Sequence, residues 1–417
     1  MNTGNNSKEL KNASINTVML YLLTFAKMVF PLVILPYLTR VLSTDTYGMV
    51  AYVKAIMGYA QIIIEFGFLL SAVKEIVEHS DSKEKINRIV SDTILAKVIL
   101  SILSLVVVVA LYLLVPALKG AFLYIFLAFL TPFFSCFLVD YFFRGIEKMH
   151  YITIVFVLMK SISTIFTIWF VNSDQDVLLI PIFDAVSSIA AVVVTWCIVY
   201  KLGYRVVKPI FKDAIKSITR SFTYFLNSVA STAFGALLTI IVGIIIPNLT
   251  EIAYWSVCMQ LTGAVQSLYT PISNGIYPYM IKNRDLKLIK NILVIFMPIV
   301  TIGCVVCYYL APWILNVVGG ESYVQAYKLF RLIIPVLFIS FPVAILGWPV
   351  FGPIEKAKEM TISTVVGAIV QFLLIIIAYL FSGCSLIYVA ITRIISELAM
   401  LFSRVYYLHK FRTLYRS

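Results

Sequence analysis

Apolar runs long enough to cross a bilayer recur along the whole chain, centred near residues 27, 58, 104, 130, 161, 189, 232, 265, 303, 336, 370 and 396. A spanning helix needs about 20 mostly apolar residues to cover a hydrocarbon core of roughly 30 Å. Twelve such runs predict an all-α membrane protein, because only helices and closed barrels satisfy their backbone polar groups internally in lipid. Composition points the same way. Of 417 residues, 61% are hydrophobic and 13% charged, with a mean hydropathy of +0.97, which excludes the soluble globular classes.

An even number of spans places both termini on one side, and the positive charges say which. Of the 33 lysines and arginines, 24 fall in the polar N-terminal tail, the C-terminal segment and the connections that share their side. Arg40, Lys119, Lys328 and Arg331 are the cations of the opposite side. The positive-inside rule therefore makes both termini cytoplasmic, and this topology accounts for the net charge of +13 without nucleic acid. The first sixteen residues read as a retained cytoplasmic tail, with neither the apolar core nor the cleavage site of a signal peptide.

The polar connection "YKLGYRVVKPIFKDAIKSITR" divides the chain into an N-terminal lobe (residues 1–203, helices one to six), a basic cytoplasmic linker (204–220) and a C-terminal lobe (221–417, helices seven to twelve). A faint repeat sets "TDTYGMVAYVKAIMGYAQ" from Thr44 against "TEIAYWSVCMQLTGAVQS" from Thr250, so that Lys54 meets Gln260 and Gln61 meets Ser267. Two similar halves in one orientation are a transporter arrangement, with an expected site at their seam.

The chain holds little chemistry of other kinds. Its six cysteines are scattered over apolar segments and read as small hydrophobes. Cys304 and Cys307 supply too few ligands for zinc. The loops "VNSDQD" and "IPNLTE" leave no room for a catalytic domain, and no phosphate-binding glycine loop followed by Lys and Ser or Thr is present. The chain reads as a transporter, not an enzyme, without cofactor or metal.

The informative residues are charges inside spans. Lys27 lies mid-way along the first span, roughly 15 Å from either interface and beyond the reach of a four-carbon stem. A charge that deep faces protein or a water-filled cavity. Helix periodicity puts Lys54, Gly58, Gln61 and Glu65 on one face of the second helix, and Gln260, Gly263, Ser267, Thr270 and Asn274 on one face of the eighth, where Pro271 should kink the segment. Thr24, Lys27 and Pro31 share a face of the first helix; Tyr224, Ser228, Ser231, Gly235 and Thr239 share one of the seventh. Helix packing explains small and hydroxyl residues, but not lysines without a local acid.

Asp140 with Arg144, and Arg393 with Glu397, stand at i, i+4 and are expected to be structural pairs. Lys97 has Asp92 nearby at a poor five-residue spacing. Lys27, Lys54 and Lys160 have no acid within a turn of their own helix. Four of the five mid-membrane cations belong to the first half, so an anionic ligand held mainly by the first lobe is the simplest account; the rival is pairing of Lys27 or Lys54 with Glu65 or Asp184 across helices. Glu65 could carry a coupling proton or balance Lys27, and both readings stay open.

"LPYLTRVLSTDTYGMVAY" (35–52), "EFGF" (65–68), "DYFFRGIEKMHYI" (140–152) and "IAYWSVCMQL" (252–261) together resemble signatures of the Wzx-like oligosaccharide flippases of the multidrug/oligosaccharidyl-lipid/polysaccharide exporter superfamily. Tyr141 stands where Trp is common in that family and Arg144 where Gln is common. The resemblance implies a MATE-like fold of two six-helix lobes around a cation-lined cavity. It implies a substrate made of an oligosaccharide repeat unit on a polyprenyl diphosphate, moved from the cytoplasmic to the outer leaflet of the bacterial cytoplasmic membrane by alternating access.

On this expectation Lys27, Lys54 and Lys160, with Gln61, Gln260 and Asn274, line the substrate path, and Glu65 is the candidate for coupling to a proton or sodium gradient. Gln260 replaces a cation that relatives carry on the eighth helix. The expected company is membrane lipid and a polysaccharide polymerase. A flippase for a lipid-linked peptidoglycan precursor and a cation-coupled multidrug exporter are the alternatives.

Overall fold

A computed structural model describes the backbone of residues 3–382 and 385–415, and the side chains of these residues apart from 3–15, 227, 230, 231, 233 and 382. Ser231 of the seventh-helix face, the two lysines of the N-terminal tail, one of the six cysteines, Cys384, and the C-terminal Arg416 lie outside the residues or side chains described. Among the described residues there is no strand. The helices are α1 Thr3–Val41, α2 Thr44–Glu65, α3 Phe68–Glu78, α4 Lys83–Leu114, α5 Phe122–Phe134, α6 Asp140–Gly145, α7 Met149–Phe170, α8 Leu179–Lys201 and α9 Phe211–Thr232. They continue with α10 Leu238–Ile245, α11 Leu249–Ser267, α12 Tyr269–Asn283, α13 Leu286–Gly319, α14 Glu321–Val324, α15 Tyr327–Ile345, α16 Trp348–Phe351, α17 Ala357–Ser382 and α18 Leu386–Lys410.

Among the described residues, 10 helical segments are long and apolar enough to cross a membrane, and each coincides with one of the expected spans. The segments expected as the seventh and eighth are helical but more polar. A π-helical turn over Ala233–Leu237 links α9 to α10. The next segment breaks at Leu268, between α11 and α12. Pro271 stands in the first turn of α12, where its ring would collide with the carbonyl of Ser267, so the helix stops there.

The chain forms two compact units, one of Met1–Thr46 with Val53–Val229, the other of Tyr47–Tyr52 with Ala230–Ser417. In the first unit a core forms around Phe68, Ile76, Val90, Tyr141, Phe142 and Phe143. The aromatic residues of "DYFFRG" are thus core, and Gly145 permits that packing, since a Cβ there would meet Ile76 at 2.5 Å. Asn16, the last residue of the polar tail, is buried; its amide donates to Glu147 O at 2.8 Å and accepts from Met149 N at 3.2 Å, fixing α1 against the turn before α7.

The segment before α9 is irregular, and α4 supplies its hydrogen bonds. Asn87, Ser91 and Asp92 accept from the amides of Arg205, Val207 and Ile210 at 3.0, 3.0 and 2.7 Å. Backbone groups without a helix of their own need such partners. Asp92 is therefore committed to Ile210, and the suspected Asp92–Lys97 pairing is not formed.

In the second unit Gly48 lies so close to Leu249 that a Cβ would meet its carbonyl oxygen at 2.0 Å, and Tyr52 donates to Ile240 O at 2.9 Å. Arg404 is held by Ser363 at 3.1 Å, Thr364 at 3.2 Å and the carbonyl of Val343. Arg393 and Glu397 form a buried pair one turn apart on α18. Ser396 between them donates to Gln371 at 2.9 Å, and the ring of Phe234 lies 4.6 Å from the guanidinium.

Candidate functional site

The second helix does not run unbroken through the first unit. Phe66 and Gly67 both take left-handed conformations, with φ of 40° and 80°, and so separate α2 from α3. Phe66 stacks on Phe225 at 4.2 Å, and a Cβ on Gly67 would lie 2.4 Å from the Cβ of Tyr224. Glycine is required here both for its φ and for the approach of α9. The "EFGF" motif is this break, and it leaves Glu65 at the end of α2.

Beside the break lies a cavity of about 510 Å³ within the first unit. Its charged lining comes from five helices: Lys27 of α1, Glu65 of α2, Asp140 and Arg144 of α6, Lys160 of α7 and Asp184 of α8. Gln61, Ser187, Ser188 and Thr195 add polar groups, and Tyr151 and Phe156 aromatic ones.

Two of the cations near it are neutralised locally. Lys97 is buried; its ammonium sits 3.4 Å from each oxygen of Glu65, donates to Leu138 O at 3.3 Å and lies 5.2 Å from the centre of the Tyr141 ring. Gln61 donates to the same carboxylate at 3.1 Å. Lys160 and Ser163 each donate to Oδ1 of Asp184 at 2.6 Å. Glu65 therefore balances Lys97, for which Asp92 was the neighbour in sequence, and of the two roles left open for Glu65 the balance with Lys27 is not formed. The misreading came from weighing neighbours on one helix, whereas this pair joins two.

Lys27 forms no ion pair among the described residues; its ammonium lies 5.3 Å from the centre of the Phe156 ring, a cation–π distance. Lys54 is outside the immediate lining, in the electrostatic reach of Lys160 and Asp184. The lining itself holds three bases, Lys27, Arg144 and Lys160, and three acids, Glu65, Asp140 and Asp184, and Lys97 and Lys54 add two cations outside it. A surplus of positive charge in an apolar bundle favours an anion.

Asp140 and Arg144 depart from the sequence reading. The expected ion pair between them is not formed; both line the cavity instead. They occupy the first and last turns of the short α6. Gln260 and Asn274 belong to the second unit and do not line this cavity.

The chain is 23% identical over 401 residues to "Putative O-antigen transporter" of Escherichia coli (strain K12), covering 93% of this chain and 96% of that protein. It is 24% identical over 367 residues to the protein of the same name from Shigella dysenteriae, covering 86% and 91%. The fold is shared with the lipid II flippase MurJ in an inward closed conformation, at 14% identity, TM-score 0.68 and coverage of 93% of this chain and 87% of that one. It is shared too with an inward-facing multidrug resistance MATE family transporter of the MOP superfamily, at 13% identity, TM-score 0.64 and 94% of each chain. Residues 14–284 match the family described as polysaccharide biosynthesis protein. With that match spanning more than half its length, the chain belongs to the polysaccharide biosynthesis protein family.

Proposed function

We propose that the protein is a flippase that carries polyprenyl-diphosphate-linked oligosaccharide units from the cytoplasmic to the outer leaflet of the bacterial cytoplasmic membrane. Twelve spans, with both termini cytoplasmic, would deliver this activity by alternating access. The observation that carries the reading is the cationic surplus around the cavity: its lining holds three bases and three acids, Lys54 and Lys97 stand outside the lining, and Lys27 and Arg144 form no ion pair among the described residues. A diphosphate brings at least two negative charges, and its transfer through hydrocarbon is prohibitive unless fixed cations replace its water. The polyprenyl chain needs no such help and stays in lipid. The hydroxyl of Thr195, the lone pairs of Ser187 and Ser188, whose protons go to Met159 O and Asp184 O, and the ring of Tyr151 offer hydrogen-bond partners and an apolar face to sugar. A drug exporter driven through Glu65 is less well supported, because that carboxylate is engaged by Lys97 and Gln61.

The test is polysaccharide export in cells that depend on this gene. Lys27→Ala should lower export at least tenfold at normal protein abundance, and Lys27→Arg should retain part of it, since charge survives while geometry changes. Undiminished export in Lys27→Ala would refute the reading.

A further inference from the structure

Arg144, like Lys27, is a cation of the cavity lining that forms no ion pair among the described residues. Its side chain is half-buried in the lining. Its Nε is shut away from solvent with no acceptor, so the terminal Nη groups are the edge within reach of a ligand. Among the described residues the guanidinium makes no ion pair, not even with Asp140 four positions earlier. Arginine is the side chain best shaped for two parallel hydrogen bonds to a phosphate. An arginine in a cavity wall with those donors unspent is a group suited to an anionic acceptor.

The other cations sort themselves around it. Lys97 is closed by Glu65 and Lys160 by Asp184, while Lys54 shares its surroundings with the like charge of Lys160. Lys27 and Arg144 remain, and both lie within the electrostatic reach of one carboxylate, Asp140. All three line the same cavity, so an anion entering it meets both cations and competes with that carboxylate.

We propose that Arg144 and Lys27 form the diphosphate subsite of this cavity, with Arg144 as the bidentate donor, Lys27 as the point charge and Asp140 as the resident counter-charge that the ligand displaces. The inference rests on the flippase reading and adds to it the group that recognises the anion.

The experiment uses the full chain in lipid nanodiscs, with farnesyl diphosphate as probe and farnesyl monophosphate as comparison. Wild type should bind the diphosphate more tightly than the monophosphate. Arg144→Gln should raise the Kd for the diphosphate about tenfold and abolish the preference, at an unchanged melting temperature; Arg144→Lys should raise it about threefold, and Asp140→Asn should lower it. Lys85→Gln, outside the cavity, should change nothing. Retained affinity and preference in Arg144→Gln would overturn the subsite and leave the flippase reading standing. Absence of binding by wild type would remove both. Should Arg144→Gln fail to fold, unchanged affinities in Arg144→Lys and Asp140→Asn would overturn the subsite in its place.

Discussion

Lys97 and Glu65, on separate helices, meet with the ammonium 3.4 Å from each carboxylate oxygen. The lysine is 1% exposed and the acid 33%, so the pair joins the closed interior of the first unit to its cavity. Removing one partner leaves a buried charge without its counterpart. Lys97→Ala should therefore destabilise the protein by about 3–5 kcal/mol, while Lys97→Met combined with Glu65→Gln should recover most of the loss. Thermal unfolding in detergent measures both. Equal melting temperatures for Lys97→Ala and wild type would show that the pair contributes nothing.

Gly67 supports a second expectation. At a φ of 80°, with Tyr224 Cβ 2.4 Å from where its own Cβ would stand, Gly67→Ala meets both backbone strain and collision. A cost of about 1–3 kcal/mol follows from the strain alone. Tyr224→Gly, which removes the colliding Cβ, should relieve the closest contact and leave the strain in place. Folded yield from fluorescence-detected chromatography of the single and double variants separates the two contributions.

Arg393 and Glu397 are one turn apart, with side chains 5% and 3% exposed. Either residue changed to Ala should lower the folded fraction by on the order of 3 kcal/mol in stability, because one charge stays behind in a low-dielectric bundle. Arg393→Met with Glu397→Leu should restore folding and retain export. A well-folded double variant without export would assign the pair to transport.

Topology is tested by labelling. In a version without native cysteines, Gln175→Cys should react with an impermeant thiol reagent added to intact cells, and Lys287→Cys should not. Both positions are exposed. Reaction at residue 287 in intact cells would reverse the orientation derived from the lysines and arginines.

The ten apolar spans were legible because a run of hydrophobic residues has few other fates in lipid. Also legible was the Arg393–Glu397 contact, since i, i+4 geometry is intrinsic to a helix. The Asp140–Arg144 contact does not follow from the same rule, because i, i+4 spacing brings two side chains within reach without joining them, and on the six-residue α6 both line the cavity. Lys97 with Glu65 and Lys160 with Asp184 were unreadable as definite pairs, since the match lies between helices and depends on their rotation about their axes. Asn16 was hidden for another reason. It closes a polar tail, and only the fold turns it inward to the backbone of residues 147 and 149.

The break at Phe66 and Gly67 reaches beyond local geometry. A new helix begins at Phe68, its preceding residue is a glycine without a side-chain acceptor, and Gly67 and Leu69 both border the cavity. The first amides of any helix lack partners within it, and in hydrocarbon such groups are satisfied by protein or by water. The amides of Leu70 and Ser71 turn back to Gly67 O, and those of Phe68 and Leu69 stand beside the polar cavity. The point at which α2 stops thus fixes where, along the bundle, main-chain donors as well as side chains are available to a polar guest.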